Sequence, residues 1–403
     1  QRQMCIRDRP IMNIIKTILK LAAGLIIGAS AGIIFVTLGI VIFTDMSFDT
    51  FLHKLATINI SDGITGGAIG VLSAIIAVPL LVLIHEGGHL ACGLISGYRF
   101  VSFRIFNMTL IKDNGRLRIK RYAIAGTGGQ CLLTPPDKPD DKVPVILYNS
   151  GGVLANLLAL IAALAILLTV ELKTFVHEFI LIFIFIDIIF IIINGVPMKV
   201  GGISNDAMNA LSLSRNKLAR RGFIMQLRAN ALIQEGIRPK DMPREWLVDT
   251  GAINYKDALE FSMDMMKASR LLDMMQWEEA YKMFDEFYRH KSEIIPIYAK
   301  EVECELLFTS LVTGRTEQAR ELFTDELKKY ITQYQSMMSS KPRVLCAVAL
   351  FMDNDRPKAL SIYESVQRHS DEYLMQGEVL SDLDMMKTII NDNTAKDCVA
   401  SLA

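Results

Sequence analysis

No two cysteines in this 403-residue chain stand close enough to make a CxxC pair. Cys92, Cys131, Cys304, Cys346 and Cys398 are each isolated. That excludes a disulfide framework and a cysteine zinc site, and it suits a reducing compartment. Clusters of Lys and Arg interleaved with aromatics are also missing, so nucleic acid is not an expected partner. The glycines of Gly126 to Pro136 lack any phosphate-binding spacing and imply no nucleotide. Paired broken helices and inverted repeats, the marks of a transporter, are absent as well. Charge itself is unevenly spread. Long apolar runs fill residues 13 to 198, and dense charge comes after residue 199, so the 43 basic and 43 acidic residues cancel only as an average of two unlike halves.

The first residues, Gln1 to Pro10, fit nothing that follows, and residues 1–11, Cys5 among them, read as a non-native scar before Met12. After them, four stretches are long and apolar enough to cross a bilayer: 18–44, 64–96, 145–170 and 175–197. A hydrocarbon core of roughly 30 Å takes about 20 helical residues. Basic residues accumulate before the first span, between the second and third, and after the fourth; the other two loops carry only Lys54 and Lys173. That alternation predicts an integral protein of a plasma membrane, of bacterial type, with both termini in the cytoplasm.

The second span ends in Ile84-His85-Glu86-Gly87-Gly88-His89. Two histidines four apart share one helix face, so both imidazoles can reach one ion. Zinc (Zn2+) suits neutral imidazole and keeps a position open for water, and the adjacent Glu86 can act as general base on that water. The bland alternative is a pair of interfacial histidines bonded to backbone. Ionisable residues are expensive inside an apolar helix, which favours a functional site.

Three features in order resemble the site-2 protease family of intramembrane zinc metalloproteases, over roughly residues 64 to 210. They are the HExxH on a membrane helix, Gly152-Val153-Leu154-Ala155-Asn156, and Asn194-Gly195-Val196-Pro197 followed by Asn205-Asp206. The resemblance implies His85, His89 and Asp206 as zinc ligands, Glu86 as the base, and catalytic support from Asn194 and Asn156. Val153 stands where the family has proline, Ala207 where it has glycine, and the gap from Asn194 to Asp206 is longer than usual. Asp206 could also cap the helix that follows, and the two roles are not exclusive. Asp187, seven residues before Asn194 and amid isoleucines and phenylalanines, competes as a ligand or as an acceptor behind a ligand histidine. Asn156 could equally be interhelical polar glue.

Between the second and third spans, the loop 98–143 holds alternating runs at Phe100 to Lys112 and Arg116 to Tyr122, separated by Asn114-Gly115. Such a dipeptide predicts a β-hairpin, with Val101, Phe103 and Ile105 on one face and Leu117 and Ile119 opposite them. The hairpin could pair with an unwound substrate or rest on anionic membrane lipid through its basic residues. Gly126 to Pro136 reads as loop.

Residues 207–254 read as a helical connector. Beyond them, Ala280, Ala319 and Ala359 each precede an aromatic by four residues and follow Leu272, Leu311 and Phe351 by eight. Those spacings predict a tetratricopeptide-like array over 255–390, a site for a protein partner or substrate tail, and then a frayed tail at 391–403. The expected whole is an all-α polytopic membrane protein of about four transmembrane helices, with a small β-hairpin insertion and a C-terminal helical-repeat domain. Residues 12–206 would form the peptidase, cutting transmembrane or signal-segment substrates. The rival reading is a catalytically inactive membrane scaffold that binds partners through its repeats.

Overall fold

The computed structural model describes residues 60–113, 116–121, 128–247 and 251–391. The expected first span, the terminal scar, the Asn114-Gly115 turn and all of the tail after Asn391 lie outside the described residues. Contacts divide the chain into a unit ending at Val71 and a second from Leu72 to Ala403, which carries the sheet, the candidate site and all but one of the described helices.

Three described helices are long and apolar enough to cross a membrane. They are α1 (Ile60–Ile95), α2 (Val145–Thr169) and α3 (Thr174–Gly195). Large apolar side chains stay exposed along all three, among them Ile75 at 63%, Leu158 at 67% and Ile192 at 51%. Outward-facing Ile and Leu at that level suit lipid rather than water. Their polar residues turn inward instead: His85, Glu86 and His89 of α1, Asn156 of α2 and Asp187 of α3 are buried. Backbones of α1 and α2 meet at Gly88 and Gly151. A Cβ on Gly151 would come within 2.5 Å of the Gly88 carbonyl oxygen, so only glycine permits that approach.

Between α1 and α2 the chain forms a four-stranded antiparallel sheet in the order β3-β2-β1-β4. The strands are β1 (Arg99–Ile105), β2 (Met108–Asp113), β3 (Arg116–Arg121) and β4 (Gly129–Thr134). This corrects the expected hairpin in two ways. The run from Phe100 to Lys112 is two strands, turned at Phe106, which takes φ 51°. Period-2 alternation continues through that turn, and no glycine announces the left-handed residue. As a result β2 lies between the faces expected to meet, with Leu110 paired to Phe103 on one side and Ile119 on the other. The second correction is β4, expected as loop because Gly128-Gly129 and Pro135-Pro136 bracket it. Tertiary packing prevails over these breakers: Cys131, Leu132 and Leu133 are buried in a core with Tyr148 and Phe223.

After α3, a two-stranded ribbon of β5 (Lys199–Val200) and β6 (Ile203–Ser204) turns the chain into α4 (Asp206–Arg215) and α5 (Lys217–Gln234). The stretch expected as a connector is thus part of the body. Leu213, Ala219, Phe223 and Ile224 share the core of β1 and β4.

Three helical hairpins follow: α6 (Ala258–Asp273) with α7 (Trp277–Arg289), α8 (Pro296–Val312) with α9 (Thr316–Leu322), and, after α10 (Asp325–Tyr334), α11 (Ser340–Phe351) with α12 (Arg356–Arg368); α13 (Gln376–Asn391) closes the series. Ala280, Ala319 and Ala359 are each fully buried where the second helix of a hairpin crosses the first. Their 39- and 40-residue spacing recurs in the turns, where Met275, Gly314 and Asn354 take φ 57°, 77° and 53°. Left-handed residues end helices by satisfying their last carbonyls: the amides just beyond these turns, of Gln276, Arg315 and Asp355, bond back to Leu271, Ser310 and Ala349.

Candidate metal centre

The helical period puts His85 and His89 one turn apart, and their Nε2 atoms stand 3.2 Å apart. Each ring is fixed from behind. His89 Nδ1 donates to the backbone carbonyl of Tyr148 at 2.8 Å, and His85 Nδ1 to the Oδ1 of Asn156 at 2.7 Å. With both Nδ1 atoms acting as donors, each neutral ring turns an unprotonated Nε2 forward. Glycine at position 152 makes room for this, since a Cβ there would lie 2.5 Å from His85 Nε2 and 2.6 Å from His89 Nε2.

Asp206 arrives from the first residue of α4. Its Oδ2 lies 2.9 Å from His85 Nε2 and 3.2 Å from His89 Nε2. The capping role that competed for it falls to Asn205, whose side chain accepts from the Met208 amide at 2.9 Å. Asn205 also ties the preceding turn, donating to the carbonyls of Ile193 at 2.5 Å and Val196 at 2.6 Å. Asp206 is thereby left free to face the histidines.

Three electron-pair donors thus converge, and the buried Asp206 Oδ2 receives no hydrogen bond. Bare donors at such distances repel one another unless a shared proton or a metal cation lies among them. Among the described residues, His85, His89 and Asp206 form the group of His, Cys, Asp and Glu side chains that could hold a metal ion.

The other expected residues fall into distinct places. Glu86, 9% exposed, lines the same cavity of about 520 Å³ as the three donors. Asn194 lines it too, but its Nδ2 donates back to Phe190 of its own helix at 3.0 Å. Asn156 lies behind His85 and passes the contact on, donating from Nδ2 to Asp187 Oδ1 at 2.7 Å. Asp187 is therefore two hydrogen bonds removed from the His85 ring and outside the donor group.

What sequence reasoning missed is the far wall. Gln130 and Leu132 of β4 and Gln226 and Asn230 of α5 line the cavity facing the donors. β4 pairs with β1 on one side and with no strand on the other among the described residues. Comparison with protein-family models, curated proteins and solved structures returned no match.

Proposed function

We propose that the chain is an intramembrane zinc metalloendopeptidase, similar in its chemistry to the site-2 proteases, acting on transmembrane or signal-segment substrates. The observation that carries this reading is the donor triangle with an Asp206 oxygen that receives no hydrogen bond at one corner. Its sides of 2.9, 3.2 and 3.2 Å approach the edge of about 3.3 Å that a tetrahedron with bonds of about 2.0 to 2.1 Å requires. Two imidazole nitrogens and one carboxylate oxygen suit zinc. When bound, zinc supplies Lewis acidity, which polarises a carbonyl and brings water's pKa towards neutrality.

Glu86 is the residue that moves protons. It takes one from the attacking water as the water oxygen bonds to the scissile carbonyl carbon. It delivers that proton to the amine nitrogen as the C–N bond breaks. His85 and His89 stay neutral donors, held by Asn156 and Tyr148. Asn156 and Asp187 act through His85 as positioning residues, and Asn194 borders the substrate's space.

A peptide bond inside a helix is shielded, so the substrate must be extended. The edge of β4 that pairs with no strand among the described residues lies along the same cavity as Glu86 and, apart from the Cys131 carbonyl that Tyr148 occupies, offers main-chain pairing to such a segment. This role passes to β4 from the β2–β3 hairpin. On that hairpin Leu117 and Ile119 are exposed at 63% and 64% among arginines, which suits the lipid surface better. The helical hairpins, with a period longer than the usual tetratricopeptide repeat, provide the soluble binding region.

The test combines metal content with turnover of the detergent-purified protein. One equivalent of zinc should copurify with wild type and with Glu86→Gln. Peptidase activity should fall about 10²- to 10⁴-fold in Glu86→Gln. Unchanged activity in that variant rules out the mechanism. A wild-type protein that binds no metal favours the scaffold reading.

A further inference from the structure

The helical period divides α5 into rows. Phe223, Leu227 and Ala231, four apart, are buried in the core that Cys131 and Leu133 of β4 share. The neighbouring row carries three amides at the same spacing, Gln226, Asn230 and Gln234, all half-buried. Gln226 and Asn230 border the metal cavity and also a second cavity of about 340 Å³, which Gln234 joins. Gln234 borders a third in turn, of about 730 Å³. β4 accompanies this row throughout. Its Gln130 and Leu132 border the first two cavities and its Thr134 the third. Strand and amide row therefore run the same way, leading off from the cavity of Glu86.

The amides are mostly unused by the fold. Gln226 donates from Nε2 to the Tyr298 hydroxyl at 3.1 Å. The side chains of Asn230 and Gln234 have no hydrogen-bond partner among the described residues. Their spacing matches one kind of ligand. Residues four apart on a helix stand about 6 Å apart along its axis. An extended polypeptide repeats every two residues, about 6.6 Å, and turns alternate peptide groups to opposite edges. A strand paired with β4 along one edge thus presents N–H and C=O groups on its other edge at nearly the period of the row. Each amide side chain carries both a donor and an acceptor, so it can answer both groups. Left without partners in a half-buried cleft, those groups would cost binding energy.

We infer that Gln226, Asn230 and Gln234 form the second wall of a polypeptide groove and bind the main chain of the strand that β4 receives. The inference rests on the peptidase reading for calling that strand a substrate and for its pairing with β4. It deepens that reading in one respect: recognition through the main chain on both edges selects an extended conformation over side-chain identity. The row covers about 12 Å of α5, or roughly four extended residues leading away from the cut.

The test measures binding without turnover, using full-length Glu86→Gln protein in detergent. The probes are a fluorescent twelve-residue peptide of alanine, serine and leucine, and a twin N-methylated at every second residue, which keeps one edge able to pair. If β4 were the only wall, the twin would turn its intact edge to the strand and bind equally. With a second wall it should bind about tenfold more weakly or worse, the worth of one or two lost hydrogen bonds. Asn230→Leu keeps the bulk and removes the amide. It should weaken the unmodified peptide by a similar factor and leave the twin's affinity unchanged. Equal binding of the two peptides overturns the inference, and since it needs no variant it decides the matter even if Asn230→Leu fails to fold. Unaltered binding of the unmodified peptide by a folded Asn230→Leu protein overturns it as well, and makes the row a solvated lining. So does a failure of the unmodified peptide to bind. Missing zinc or missing turnover bears on the peptidase reading and leaves this binding result standing.

Discussion

At the scale of single residues, the candidate site depends on what stands behind the three donors as much as on the donors. His85 faces forward because Asn156 holds its Nδ1, and Asn156 is held in turn by Asp187, whose second oxygen is buried without a partner. Asp187→Ala should therefore leave the fold intact but weaken zinc retention about 10- to 100-fold, the usual cost of losing an outer partner. Titration with a competing chelator would measure it; affinity equal to wild type would show that Asp187 serves packing alone. Gly152→Ala should be harsher, since its methyl group occupies the space of both Nε2 atoms. The expected result is a folded protein without bound zinc. The residues of the HExxH were legible in the sequence because four-residue spacing on a helix is a local fact. The Asn156–Asp187 link was not, because it joins α2 to α3 and depends on their mutual register, which no local pattern encodes. Asp206 was legible in two roles, candidate ligand and helix cap, and of these the cap is taken by Asn205.

Elements show the same division. Apolar runs sufficed to find α1, α2 and α3, and a spacing of 39 and 40 residues sufficed to find the helical hairpins. β4 escaped because its six residues are bounded by glycines and prolines and are made a strand by β1, α5 and Tyr148 rather than by propensity. The repeated left-handed turns offer a check on the hairpin geometry. Asn354 holds φ 53° at a position where Gly314 holds 77° in the preceding unit. Asn354→Gly should be near neutral or stabilising, whereas Gly314→Ala should cost about 1 to 2 kcal/mol, the price of a Cβ in that region. Urea unfolding of the solubilised chain distinguishes these; equal effects at the two sites would mean that the turns are not equivalent.

For the whole molecule, a cavity lined by Glu301, Glu305, Glu378 and Asp382 links stability to pH. Glu378 is faced by Glu301 and Lys341, by Glu305 from α8, by Arg343 from α11, and by Asp382 of its own helix. Its carboxyl is raised from an ordinary 4.5 to about 8 in the fold. Between those values the folded chain holds a proton that the unfolded chain has released, so folding is favoured by acid. This contribution is complete below 4.5 and is lost as pH rises through about 8. Melting temperature should accordingly decline from pH 5 to pH 8.5 more steeply in wild type than in Glu378→Gln. Parallel curves would indicate that the carboxyl is ionised throughout. The placement of these acids in one cavity could not be read from sequence, since they lie on α8 and α13, far apart in the chain.

The donor triangle also has a mechanical side. Its corners come from α1 and from α4, and the rings at two of them are braced by α2, so an ion seated there fastens segments that the chain order keeps far apart. Stripping it with a chelator should then do more than silence chemistry: the helices lose a rivet, electrostatic repulsion among three bare donors takes its place, and the apo protein should unfold at a lower temperature.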